Sequence, residues 1–283
     1  MRVPAAFCGL FGYLPSHDLW PRDGLFPLLP LSDTIGILAN SAQDARLACS
    51  ALEDKAQDED EDVSLEGLCF GKPDNHFYED LDPEVAAWVD TALNRLQHAG
   101  INLVPVSVPN PDDGTQLYGK LNREYGKFFR AHLRATLGEE HFCELLSAMD
   151  DNTRLGLEAI DDLNTAEYIR LRESLETLRA NAASAMRELD GWLVPSLPMT
   201  AMPLTGINGY SEAAALQLRA GRNMSMVNKL GYIATTTPVP RDDGGLPVGL
   251  QLVMPNGHDQ RLLVTACAIE QQLGRPPRAR ALM

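Results

Sequence analysis

Basic residues are scarce in this sequence. Lys and Arg together number 24 against 39 Asp and Glu, which leaves a formal net charge of −15. Such a chain lacks the positive face that a phosphate backbone selects, so nucleic acid is not an expected partner. Long apolar runs are also missing. No stretch is long enough to span a bilayer, and Arg2 and Pro4 interrupt the start where a secretory leader would need an unbroken apolar segment. The expected setting is therefore cytoplasmic, with no membrane partner. Cysteine pairing is absent too. Cys8, Cys49, Cys69, Cys143 and Cys267 are odd in number, widely spaced and contain no Cys-x-x-Cys, which excludes a disulfide framework or a zinc ribbon and fits buried free thiols in a reducing compartment. Cys8 and Cys267 have apolar neighbours and are expected to be inert. The six histidines show neither His-Glu-x-x-His nor any other paired ligand spacing, so no metal and no cofactor is expected. No Gly-x-Ser-x-Gly elbow is present either.

What the chain does have is apolar bulk. Of its 283 residues 45% are hydrophobic, enough to bury a sizeable core, and the expectation is a single domain over 1–283. Glu53, Asp54, Asp58, Glu59, Asp60, Glu61 and Asp62 form an acidic stretch, read as a solvated surface loop over 53–63 because like charges repel one another and favour water.

Periodicity gives the order of elements. Pro15, Pro21, Gly24, Pro27, Pro30 and Gly36 make Phe11 to Asn40 loop-rich. Ser41 reads as a helix N-cap followed by the apolar stripe Ala42, Ala45, Ala48 and Leu52. Leu65 to Gly71 is a short strand. Asp82-Pro83 opens a helix with Asp82 as its cap, Val85, Val89, Ala92 and Leu96 line one face, and Gly100 closes it. Ile101 to Val106 is the next strand, so this segment is a βαβ unit with a parallel pair. Helices follow over Leu117 to Leu137 and Glu139 to Met149. Another is capped by Asn164 with Glu167 three residues on. Trp192 to Val194 is a strand stopped by Pro195, and Ala213 to Leu230 is helical. Ile233 to Pro238 and Val248 to Met254 are strands joined by a polar turn. Asp259 caps a last helix that ends at Gly274. The fold class is α/β, a mixed sheet flanked by helices.

Several segments carry a resemblance. Arg2, Pro4, Ala5 and Gly9 fall on the pattern Gly-Gly-Ser-Ile-Arg-x-Pro-Ala followed by Gly, with Met1 in place of the isoleucine. Gly12, Pro15 and Ser16, then Asp33-Thr34-Ile35-Gly36, Asp44-Ala45 and Gly67-Leu68, continue the match in order. So do Asp80 to Val85, Asn228, Gly231, Pro238, Gly245 to Leu252, Asp259, Leu262, Leu263 and Glu270. The chain resembles the amidase signature family over nearly its whole length. It departs from that pattern at Leu14, at Asp18 and Leu19, at Ile233 and at Pro240.

The resemblance implies hydrolysis of a carboxamide through an acyl-enzyme, with an attacking serine, a second serine in a cis peptide that relays the proton, and a lysine base. The attacking serine would stand immediately before Met1 and the other two groups earlier. No residue here receives those roles, and no catalytic residue is assigned. The expectation is a chain that lacks the N-terminal part of the family's fold, is inactive alone, exposes edge strands, and self-associates or depends on a partner. The alternative is a non-catalytic remnant or binding protein that keeps the scaffold. The runs Phe77 to Val85 and Gly257 to Leu263 look closer to hydrolases of small aryl or alkyl amides than to the transamidosome subunit. By the same resemblance Arg222, Asn223 and Asn228, just before the Gly231 strand, approach the cleft of a small-molecule amide substrate; tying a loop is the competing role. Tyr125, Phe128 and Phe129 could line an acyl pocket or be plain core. Ser225 and Lys229, four apart on a helix, could touch but lack an accompanying Gly-rich turn.

Overall fold

A computed structural model describes residues 1–25, 33–53, 63–158, 164–203, 205, 207 and 209–276. The acidic stretch falls largely outside the described residues. The strands are β1 (Phe11–Leu14), β2 (Ile37–Ala39), β3 (Cys69–Pro73), β4 (Asn102–Val106), β5 (Gly191–Pro195), β6 (Ile233–Val239) and β7 (Val248–Met254). Among the described residues they form one seven-stranded mixed sheet in the order β2-β1-β6-β7-β5-β3-β4. The β3, β4 and β5 pairings are parallel, while β1, β2, β6 and β7 are joined by antiparallel ones. The β5–β7 pair, also antiparallel, welds the two halves together. The helices are α1 (Arg2–Cys8), α2 (Ala42–Leu52), α3 (Pro83–His98), α4 (Pro111–Leu137), α5 (Glu139–Ala148), α6 (Asp151–Glu158), α7 (Thr165–Ala185), α8 (Gly209–Lys229) and α9 (Asp259–Leu273).

Strand alternation divides the sheet into two buried faces. On one, Phe11, Tyr13, Leu193, Ile233, Leu250, Leu252 and Met254 pack under α2, α3 and α9. On the other, Trp192, Val194, Ala234 and Val253 meet Leu175 and Leu178 of α7, Met226 and Val227 of α8 and Leu230 just beyond it. The short helix α1 lies on this second face beside α8. Because β5, β6 and β7 are covered on both sides, they read as continuous buried runs with no polar alternation.

The expected caps divide in an instructive way. Ser41 Oγ accepts the Asp44 N–H at 3.0 Å, and Asn164 Oδ1 accepts the Glu167 N–H at 2.9 Å. Asp82 occupies the N-cap of α3 without making the cap bond. Its carboxylate instead accepts a charge-assisted bond from Arg219 at 2.7 Å, which outcompetes a neutral backbone donor. The cap position of α9 belongs to His258, and the Asp259 carboxylate is taken by Tyr13 and Ser16. The stretch from Phe11 to Asn40 holds two strands, each too short to show a period. Cys8 is exposed rather than buried, since α1 turns Arg2, Ala5 and Ala6 inward and leaves Cys8 outside; Cys267 is partly buried.

Two glycines set how close α1 can come to the sheet. A Cβ on Gly12 would stand 2.8 Å from Ala5 Cβ, and one on Gly36 would stand 2.4 Å from the Tyr13 carbonyl oxygen and closer still to the Met1 side chain. These approaches hold only without a side chain. Gly12→Ala is therefore expected to destabilise the chain by about 1–3 kcal/mol through overpacking. Gly126→Ala, on α4 with open space around it, should instead stabilise by about 0.5–1 kcal/mol. Thermal or urea unfolding of the two variants checks the contrast, and an equal response would refute the close-packing account.

Candidate active site

The cross-strand register places polar side chains in a row under α1. Thr236 lies opposite both Gly12 and Gln251, and Gln251 lies opposite Val194, so their side chains share one face. Thr236 and Gln251 are fully buried, as is Ser196 just past β5. The Ser196 hydroxyl donates to Thr236 Oγ1 at 3.4 Å, and its N–H donates to the Gly249 carbonyl at 2.9 Å.

Arg2 reaches into this row from the first turn of α1. Its side chain is buried, with 4% of the residue exposed. The guanidinium donates to Gln251 Oε1, to the Met224 carbonyl at 3.0 Å and to Asn228 Oδ1 at 2.6 Å. One side chain thus joins α1, α8 and β7. All three acceptors are neutral. Burial alone pushes the Arg2 pKa down to about 9, which still leaves the group charged at neutral pH. The charge is felt at the start of the helix: the Met1 ammonium is held below its ordinary value, first by burial and then by Arg2. With Oε1 facing a donor, Gln251 Nε2 points away and has no hydrogen-bond partner among the described residues.

The three residues singled out in the sequence are only partly brought together. Asn223 is fully buried, donates through Nδ2 to the Phe77 carbonyl at 3.1 Å and the Pro195 carbonyl at 2.9 Å, and accepts from Arg222 Nε at 3.1 Å. Arg222 also donates to the Glu79 carbonyl, and Arg219 binds Asp82. These α8 side chains hold the loop between β3 and α3, where His76 and Asp80 adopt positive φ of 55° and 46°. Asn228 points elsewhere, to Arg2. Phe128 is 60% exposed, Phe129 is partly buried, and the Tyr125 side chain lies outside the described residues.

Beyond Asn228 a cavity of about 570 Å³ opens between the end of β1, α7 and the β7–α9 turn, with Leu14, Arg179, Tyr232 and Asn256 among its lining. The Asp259 carboxylate fixes two of its walls relative to each other. Its Oδ1 accepts from Tyr13 OH at 2.6 Å and from the Ser16 N–H at 2.8 Å, while Ser16 Oγ in turn accepts from the Gly257 N–H at 2.8 Å. At the end of α8, burial pushes the Lys229 ammonium down to about 8. Among the described residues no group of three or more His, Cys, Asp or Glu is placed to hold a metal ion. Among the described residues the arrangement offers buried donors and, on Arg2, a positive charge held by neutral acceptors, which suits a carbonyl oxygen or an anion.

Arg2, Gln251, Thr236 and Ser196 were not singled out as site residues in the sequence. The signal was nonetheless present: a glutamine inside the apolar run Val248 to Met254 needs a partner, and an arginine beside Pro4 and Ala5 is out of place unless something neutralises or hydrogen-bonds it.

The fold and this cluster define a class: an α/β protein whose mixed sheet carries buried polar groups on one helix-covered face, next to a cavity. The amidase family model matches residues 1–263, and the chain belongs to that family. It is 31% identical over 277 residues to 2-amino-5-chloromuconic acid deaminase of Comamonas testosteroni, covering 97% of this chain and 59% of that protein. It is 28% identical over 287 residues to the indoleacetamide hydrolase of Allorhizobium ampelinum, covering 96% and 61%. Its fold matches an amidase crystal structure with a TM-score of 0.80 at 23% identity, over 97% of this chain and 61% of that one. The chain thus spans about three fifths of the length of the curated relatives it matches. No helix among the described residues is long and apolar enough to cross a membrane.

Two outcomes test this geometry. Asn223→Ala leaves two buried carbonyls without a donor and should cost about 2–4 kcal/mol, measured by urea unfolding; a loss below about 0.5 kcal/mol would contradict the assigned bonds. Lys229 is lowered from its ordinary 10.5 to about 8 on folding. The unfolded chain therefore binds its proton more tightly, and the cost of Lys229 is full below pH 8 and fades as pH rises to 10.5. The stability advantage of Lys229→Met over the unaltered chain should shrink across that window, and a difference independent of pH would contradict the burial.

Proposed function

We propose that residues 1–283 form the larger part of a cytoplasmic enzyme that hydrolyses a small carboxamide to the acid and ammonia. In this reading the attacking serine, the second serine and the lysine base are contributed by polypeptide outside residues 1–283. The serine hydroxyl adds to the amide carbon, its proton passes through the second serine and the lysine to the departing ammonia, and water then cleaves the acyl-serine ester. Residues 1–283 supply the framework: α1 fixes where the serine stands, and the face under α1 and α8 meets the substrate. Arg222 and Asn223 shape the substrate side by holding the β3–α3 loop, and Asn228 links the cavity to Arg2.

The observation that carries this reading is the anchoring of Arg2. It stands two residues after the position where the family pattern has its serine, and acceptors from α8 and β7 converge to hold it. A small-molecule substrate is supported by the relatives at 31% and 28% identity, a 2-amino-5-chloromuconic acid deaminase and an indoleacetamide hydrolase.

Ammonia release from a panel of primary aryl and alkyl amides tests the reading. The whole protein, with whatever polypeptide accompanies residues 1–283 in its source, should release ammonia and acid in equal amounts, and purified residues 1–283 should release none. Turnover by residues 1–283 alone that survives both Ser225→Ala and Lys229→Ala would show the reactive groups to be misplaced. A whole protein that turns over no amide would leave the scaffold-only alternative.

A further inference from the structure

The Arg2 guanidinium is unusual in what it lacks. A cation this deeply buried is ordinarily matched by a carboxylate, because removing it from water unpaired is costly. Here the residue best placed to supply one, Gln251, is the neutral isostere of glutamate. It spends its oxygen on Arg2 and leaves its amide nitrogen buried without a partner among the described residues. The opposite amide orientation is ruled out, since it would set two donors face to face. Asn228 repeats the pattern: another amide stands where an aspartate would pair the charge. A glutamate at 251 would match the guanidinium and remove the orphaned donor in one step. Simple stability does not account for the glutamine.

Resting on the proposed amide hydrolysis, we infer that Gln251 is a positioning residue that holds Arg2 in place while leaving its charge uncompensated, so that the buried positive charge favours negative charge developing at the start of α1. In acyl transfer that negative charge is on the carbonyl oxygen as the tetrahedral adduct forms, and a fixed positive charge in a dry site lowers its energy without touching it.

Two substitutions of Gln251 separate this role from a structural one, assayed in the whole protein on a primary amide. Gln251→Glu keeps the bonds to Arg2 and cancels its charge; it should melt at or above the temperature of the unaltered protein yet lose about tenfold or more in kcat, with KM little changed. Gln251→Met keeps the charge and removes the bond; it should melt lower yet lose less kcat per folded molecule than Gln251→Glu. A purely structural glutamine predicts the reverse ranking of activities, and that result, or full kcat in Gln251→Glu, overturns the inference. If Gln251→Glu does not fold, Arg2→Lys and Arg2→Met carry the test: retained kcat in the first and loss in the second supports the role of the charge, and equal kcat overturns it. An unaltered whole protein that turns over no amide overturns the hydrolase reading itself, whereas an active one with indifferent Gln251 variants overturns only the role given to Gln251.

Discussion

A guanidinium buried among neutral oxygens governs the geometry of this protein. A hydrogen bond to a buried charge is typically worth about 1.5–3 kcal/mol, and removing its acceptor leaves the charge less well held. The contacts that hold Arg2 are therefore costly to remove. They also reach far along the chain: α1 and β7 lie some 250 residues apart, and the 249-residue separation of Arg2 and Gln251 is closed by a direct side-chain contact. The polar row of Thr236, Gln251 and Ser196 needs both sheet register and helix cover to stay dry, and Arg2 brings the cover.

Around this contact the remaining structure has a clear division of labour. The face under α2, α3 and α9 is apolar and supplies cohesion. The face under α1, α7 and α8 mixes apolar packing with hydrogen bonds that fix direction. α8 serves two ends at once, tying the positive-φ loop between β3 and α3 through Arg222 and Asn223 and receiving Arg2 through Asn228 and the Met224 carbonyl. Asp259 plays the equivalent part on the cavity side, where a carboxylate that could have capped α9 instead binds Tyr13 and Ser16.

The parts of this fold that were legible in the sequence are those set by local chemistry. Ser41 and Asn164 cap as their positions suggest, because a cap needs only its own turn. The βαβ unit from Cys69 to Val106 was marked by Pro83 and Gly100, and β6 and β7 by their β-branched and apolar runs. What stayed hidden depended on residues distant in the chain. Asp82 and Asp259 look like caps until Arg219 and Tyr13, over a hundred residues away, compete for them. β1 and β2 are too short to display a period, and the close approach of Met1 and Ala5 to them rests on Gly36 and Gly12. Arg222, Asn223 and Asn228 were correctly seen as neighbours on one helix, but a helix turns about 100° per residue, so Asn228 serves a different surface from the other two. Gln251 was quoted as part of a pattern, and its role became visible only when the register set it beneath Arg2.

The most direct measurement of the central claim is a double-mutant cycle on Arg2 and Gln251, with each changed to Met singly and together and stability read by urea unfolding. A guanidinium held by a buried neutral oxygen should give a coupling of about 1.5–3 kcal/mol, the two single losses overlapping in the double variant. Strictly additive losses would contradict the account, because the two side chains would then not act on each other and Arg2 would not be what joins α1 to the sheet.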